Sequence, residues 1–297
     1  MDNRTCAVFA AVVVPLLAQR PQASACIMLD EVPENEYLSY AADPMFESAG
    51  CIYANYETNG WLRGSGVLIH PEWVLTAGHN LVWWIDPVSE VRFYTGTDIG
   101  EADHIVCADA WFVHPDWIPG TQEGGTGVDL GLIHLSEPIT DITCAEVFHG
   151  EDERGTLLHM AGYGKYGWAS TGPVDLDYLR RGWDNIAADF GGDPGFLLVE
   201  SQYWLAEFGG VEGNLPLEGH GAPGDSGSGC FAYIDGRYQL VGINAFAWGG
   251  FGLGSETGAI RTSLYTDWVD TYVPEPVAAL LFAAAAPWIL CRRRKRA

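Results

Sequence analysis

From Cys51 onward, short apolar stretches alternate with turn residues. Gly66-Val67-Leu68-Ile69 and Trp73-Val74-Leu75 predict two strands, with His70-Pro71-Glu72 turning between them. Val91-Arg92-Phe93-Tyr94 alternates with a period of two, as a half-buried strand does. Leu130 to Leu135 predicts a buried strand. In the second half, Leu157–Met160, Phe196–Val199, Phe231–Ile234 and Gln239–Ile243 predict strands in the same way. Gly150-Glu151-Asp152-Glu153-Arg154 makes a polar break between the two runs. Many short strands with few helices suit antiparallel barrels or a sandwich.

The two ends follow different rules. Arg4 precedes an apolar run from Ala7 to Ala18, and Ala23-Ser24-Ala25 follows it. Residues 1–25 therefore predict a secretory signal peptide cleaved before Cys26. At the other end, Val273-Pro274-Glu275-Pro276 leads into an apolar run from Val277 to Cys291 and then Arg292-Arg293-Arg294-Lys295-Arg296. That run is shorter than the roughly 20 residues that comfortably span a bilayer, and its basic end would sit on the cytoplasmic side.

Charge narrows the choice of partners. The chain carries 15 basic and 39 acidic residues, a net charge of −24. The basic cluster at the carboxyl end lies outside the strand-rich body, so the body is more acidic still. Such a surface repels nucleic acid, which needs basic contacts, and could draw in cationic substrates. Seven cysteines are present. Cys6 falls in the signal and Cys291 in the tail, which leaves an odd set of Cys26, Cys51, Cys107, Cys144 and Cys230 for an oxidising compartment. One disulfide pairing is Cys26–Cys51 and Cys107–Cys144, with Cys230 left over. No Cys-x-x-Cys or His-Glu-x-x-His string occurs, so no zinc site or other cofactor is expected.

Three strings carry the candidate chemistry. They are Leu75-Thr76-Ala77-Gly78-His79, Val128-Asp129-Leu130-Gly131-Leu132-Ile133 and Gly224-Asp225-Ser226-Gly227-Ser228-Gly229. A serine hydroxyl is a poor nucleophile near neutral pH unless a neighbouring base takes its proton. His79 is the candidate base for Ser226, and Asp129 the group that fixes its tautomer and stabilises the imidazolium. The backbone amides of Gly224 and Ser226 are the candidate oxyanion hole.

At these residues the chain resembles the trypsin-like, chymotrypsin-fold serine peptidases. Trp73 to His79 resembles the family's histidine motif, with Gly78 where alanine is usual. Val128 to Ile133 resembles its aspartate motif, and Gly224 to Gly229 its serine motif, with Ser228 for the common glycine. Val113-His114-Pro115-Asp116-Trp117, Ala161-Gly162-Tyr163-Gly164 and Leu264 to Val269 resemble secondary marks, the last being the closing helix. The resemblance covers roughly residues 45–272. It implies an all-β fold of two packed six-stranded antiparallel β-barrels with a short C-terminal helix and the active site between the barrels. The expected division is 1–25 signal peptide, 26–150 N-terminal region and first barrel, 151–272 second barrel and closing helix, and 273–297 sorting signal.

That tail resembles the PEP-CTERM sorting signal of Gram-negative bacteria. The resemblance implies an exosortase-type processing enzyme as partner, transient or tail-mediated membrane association, and a final place at the cell surface, in the periplasm or in the extracellular matrix. The activity implied is that of an exported serine endopeptidase acting on proteins or peptides through an acyl-enzyme. A catalytically weak or inactive surface-binding protein on the same scaffold is the alternative.

Two departures bear on mechanism. No Ile-Val-Gly-Gly string is present to supply a new terminal amine to the acid beside the nucleophile, Asp225. No cysteine pair brackets His79, because Gly64 and Asn80 stand at those places. For the substrate-binding pocket, counting back from Ser226 places His220 where trypsin carries the acid that selects Lys or Arg. Ala247-Trp248-Gly249 resembles the Ser-Trp-Gly strand that pairs with the substrate backbone.

Overall fold

A computed structural model of the chain describes residues 26–82, 86–120, 125–151, 153–187, 189–190, 203–209 and 215–274. Its first half is a closed barrel of six strands. In hydrogen-bonded order these are Ala49–Tyr56, Gly60–His70, Trp73–Thr76, Gly131–Leu135, His104–Val113 and Val88–Thr95, and the last pairs again with the first. The sequence pattern explains the closure. In Val88–Thr95 the buried positions alternate, and Val91 and Phe93 enter a cluster with Ile52, Leu68, Val74 and Ile133. The apolar run before Leu135 is buried almost throughout.

The second half is a seven-stranded antiparallel sheet. Its order is Arg181–Ile186, Leu157–Gly162, Gly229–Ile234, Arg237–Trp248, Glu256–Arg261, Tyr203–Glu207 and Asp189–Phe190. The segments predicted at 157–160, 231–234 and 239–243 all lie in these strands, whereas Phe196–Val199 lies outside the described residues. The chain has the all-β chymotrypsin-like fold, ending in the short helix α2, Thr266–Tyr272. Between the halves, Val67, Leu75 and Leu132 from the first pack with Phe231, Leu240, Ile243 and Ile260 from the second.

The ends of the folded body cross over. Cys26–Met28 forms a fully buried strand that pairs in parallel with Tyr166–Trp168 and antiparallel with Gly219–His220. Helix α1, Glu34–Tyr40, lies on the second half, where Tyr40 hydrogen-bonds Asp184. Residues 26–48 precede the first barrel in the chain, yet their strand and helix α1 pack on the second half. Helix α2 does the reverse: Tyr272 stacks on Phe112 at 4.4 Å, and Trp268 sits 5.1 Å from His114.

The expected disulfides are absent: Cys26, Cys51, Cys107, Cys144 and Cys230 are all free thiols. Cys26 is buried with Met160 and Trp183, while Cys51 is buried with Ile99 and Tyr163 in a separate cluster. Cys107 faces solvent, whereas Cys144 packs against the first barrel's core. The expected partners lie in different packing environments, whereas Cys26 and Cys230 share one buried cluster. Among the described residues no helix is long and apolar enough to cross a membrane. The proposed signal peptide and the tail from Glu275 onward lie outside the described residues.

Candidate active site

The first barrel brings His79 and Asp129 together. His79 sits in a 3-10 turn, Gly78–Asn80, immediately after the strand that ends at Thr76. Asp129 precedes the neighbouring strand, and two backbone bonds fix its position: Val128 N–H to Asp116 O at 3.3 Å and His114 N–H to Leu130 O at 2.9 Å. The carboxylate holds His79 twice. Its Oδ1 accepts the His79 backbone N–H at 2.8 Å, and its Oδ2 lies 2.6 Å from Nδ1 of the ring. Both side chains are about nine-tenths buried. This geometry presents Nδ1 to the carboxylate and leaves Nε2 to face the other way. On the far side of the turn, the Tyr56 hydroxyl bonds the carbonyls of His79 at 3.1 Å and Asn80 at 2.8 Å.

The second half brings up Ser226. Its loop approaches the turn so closely that Asn80 Nδ2 donates to the Ser226 carbonyl at 2.8 Å. No hydrogen bond links Ser226 Oγ to His79 in this structure. In free enzymes such contacts are often long and tighten when substrate binds. The amides of Gly224 and Ser226 donate to no protein group among the described residues. Lys165 N–H holds the Pro223 carbonyl at 2.8 Å. In a trans peptide the next N–H points the opposite way, so the Gly224 amide is directed away from Lys165. Gly224 has φ +101, and a Cβ there would meet Gly164 Cα at 2.8 Å, so glycine is required for this turn.

Asp225 lies fully buried beneath the loop. It accepts the N–H of Gly164 and of Ala222, each at 2.8 Å, and the backbone of Cys26 also bonds to it. Burial pushes its carboxyl up to about 7, against the pull of those three amides.

A cavity of about 220 Å³ opens beside Ser226. Gly221, Ala222 and Pro223 form one wall, Asn244 to Ala247 another, and Phe251 closes it. None of these side chains is charged. Of the four expected pocket residues, Ala247 lines the cavity. Trp248 is 46% exposed beyond it, and Gly249 is outside the lining. His220 is fully buried behind the wall, its ring 6.1 Å from Phe208 and 5.8 Å from Phe251, with Nδ1 2.6 Å from the Gly221 carbonyl. Burial lowers its pKa, disfavouring the charged imidazole.

Asn244 and Phe246 were missed because a small–aromatic–small triplet occurs twice, as Ala245-Phe246-Ala247 and Ala247-Trp248-Gly249. Pairing fixes the choice: Gly227 N–H bonds Asn244 O at 2.7 Å, and Asn244 N–H bonds Ser228 O at 2.9 Å. Among the described residues no group of three or more His, Cys, Asp or Glu side chains is placed to hold a metal ion.

Residues 53–179 match the trypsin family model. Over 226 residues the chain is 26% identical to a tryptase of Mus musculus, covering 71% of this chain and 78% of that protein. A solved structure of HL collagenase superposes with a TM-score of 0.61 at 19% identity, covering 77% of this chain and 94% of the other. The fold is therefore that of the chymotrypsin class. Over residues 53–179 the chain is similar to the trypsin-like serine peptidases.

Proposed function

We propose that this protein is an exported serine endopeptidase using His79, Asp129 and Ser226. The two-point grip of Asp129 on His79, facing a serine loop tethered one residue from that histidine, is the observation that carries this reading. His79 takes the Ser226 proton as Oγ bonds the scissile carbonyl carbon. The amides of Gly224 and Ser226 receive the oxyanion, and removing one such donor typically costs about 2.7–4 kcal/mol of barrier. As the C–N bond breaks, His79 returns the proton to the leaving amine. Water, activated by the same imidazole, then releases the acyl group and restores Ser226.

The uncharged cavity wall favours a neutral residue before the cleaved bond, because a charged side chain there would lose its hydration without gaining a partner. His220 supports this wall from behind. Export would follow removal of residues 1–25, making Cys26 the first residue. Its α-ammonium would then stand against Asp225 and supply the charge that the missing Ile-Val-Gly-Gly terminus would otherwise bring. Residues 273–297 would direct sorting at a Gram-negative surface through an exosortase-type enzyme.

A peptide-library cleavage profile of the exported protein tests the activity and the pocket together. Cleavage after neutral residues, lost in Ser226→Ala, is expected. A library left intact by the wild type would instead favour the binding-protein reading.

A further inference from the structure

A hydrogen-bonded patch connects the histidine turn to the serine loop, and neither the triad nor the pocket accounts for it. Its centre is Asn80, which is 8% exposed. Asn80 Nδ2 donates to the Ser226 carbonyl at 2.8 Å and to Thr76 Oγ1 at 3.0 Å. Thr76 Oγ1 in turn donates to the Ser65 carbonyl at 2.7 Å. Ser65 completes the patch from the neighbouring strand. Its N–H reaches the same Ser226 carbonyl at 2.8 Å, and its hydroxyl donates to the Gly224 carbonyl at 3.0 Å while accepting the Tyr163 N–H at 3.2 Å.

Three of these contacts fall on the peptides that set the reacting groups. The Ser226 carbonyl is fixed by two donors from the first barrel, and the peptide plane on either side of Ser226 orients its Oγ and its N–H. The Gly224 carbonyl belongs to the peptide between the two oxyanion amides. Fixing it limits rotation of both. The loop is pressed onto the patch so closely that a Cβ on Gly227 (φ +87) would lie 2.1 Å from the Ser65 carbonyl and 2.9 Å from Asn80 Nδ2. Gly64 adds the matching vacancy, since a Cβ there would strike Asn80 Nδ2 at 2.5 Å. The side chain of Asn80 therefore occupies the space between the strand and the turn.

We propose that Asn80, assisted by Ser65, is a positioning residue for catalysis, registering the nucleophile loop of the second half against the histidine turn of the first. This rests on the peptidase reading above. Asn80 touches no substrate and acts through the Ser226 peptide. Removing its amide leaves the Ser226 carbonyl with one donor, Ser65 N–H, so the loop stays folded but gains freedom to pivot. A displacement of about 1 Å at reacting atoms can cost on the order of 100-fold in rate.

The test uses the full-length chain with Asn80→Ala, Asn80→Ser, Ser65→Ala and the Asn80→Ala/Ser65→Ala double variant. A peptide substrate gives kcat and KM, a fluorophosphonate gives the rate of Ser226 modification, and thermal unfolding gives fold integrity. Expected are kcat losses of about 10- to 100-fold in both Asn80 variants with KM within about threefold, matching losses in labelling rate, and a double variant less impaired than the product of the single effects. The serine variant, whose hydroxyl is too short to reach Ser226, serves if the alanine variant does not fold. Variants that melt earlier but keep wild-type kcat and labelling would reduce Asn80 to a structural role and overturn the proposal while leaving the peptidase reading intact. A folded wild type that neither cleaves nor labels overturns the peptidase reading itself, and with it this proposal.

Discussion

The first barrel closes on itself around an almost wholly apolar core and contributes the histidine and the aspartate. The second half contributes the serine loop and the cavity, and it carries its charges inside. Arg261 pairs with Glu153 at 2.6 Å with both side chains buried. Arg181, 1% exposed, meets Asp177 and Glu34. Arg180 gives its guanidinium to the carbonyls of Ala41, Phe46 and Ala49. The histidine side is thus fixed by apolar packing, one carboxylate and a few neutral hydrogen bonds from Tyr56, Asn80 and Thr76. The serine side is fixed by polar groups, each needing its partner, and by a buried acid whose charge state is open to change. A polar scaffold suits a loop that must present backbone amides outward, because directional hydrogen bonds help to fix the orientation of a peptide plane.

The comparison can be broken first at the aspartate. Asp129→Asn should lower kcat about 10⁴-fold, since the amide favours the wrong imidazole tautomer. Steady-state peptide hydrolysis reads this, and a loss under tenfold would remove Asp129 from the mechanism. Next comes the buried charge of the second half. Arg261→Met leaves Glu153 buried without its cation and should cost about 3–5 kcal/mol in denaturant unfolding. A cost near zero would mean that packing, not pairing, holds that half.

Asp225 gives a third, pH-dependent contrast. Its carboxyl is about 7 when folded and near 4 when unfolded, so between those values the folded state holds a proton that the unfolded state has released. Stability should therefore fall as pH rises from about 4 to about 7, by a few kcal/mol at most, in a chain that still carries residues before Cys26. Removing those residues places an ammonium beside Asp225 and should flatten the slope. Unfolding of the two forms at several pH values measures it, and equal slopes would separate Asp225 from the terminus. Last and smallest, Ile133→Val in the first barrel should cost about 0.5–1.5 kcal/mol, a packing loss with no pH dependence over the same range.

Much of the molecule was legible where local pattern and long-range structure agree. The alternation around Val91 and Phe93 and the apolar run to Leu135 became barrel strands because their side chains had one core to enter. The three motif strings stand out in the sequence because their turn glycines and flanking apolar residues are local. What stayed hidden depends on distant pairing. Cys26–Met28 joins Gly219–His220 almost two hundred residues away in the chain, so nothing near residue 26 announces that the strand lies behind the pocket. The wall from Asn244 to Ala247 was displaced by one repeat of a small–aromatic–small pattern. The sequence marks Asn80 only as standing in a cysteine's place; its bridging role stays hidden because its partners, Ser226 and Thr76, lie on different elements.

The most direct measurement is the site of covalent capture by a fluorophosphonate, mapped by mass spectrometry on the intact folded chain. A single adduct on the peptide containing Ser226, abolished in Ser226→Ala and in His79→Ala, is the expected result. No adduct on the folded wild type, or one that persists in Ser226→Ala, would contradict the assignment of Ser226 as an activated nucleophile.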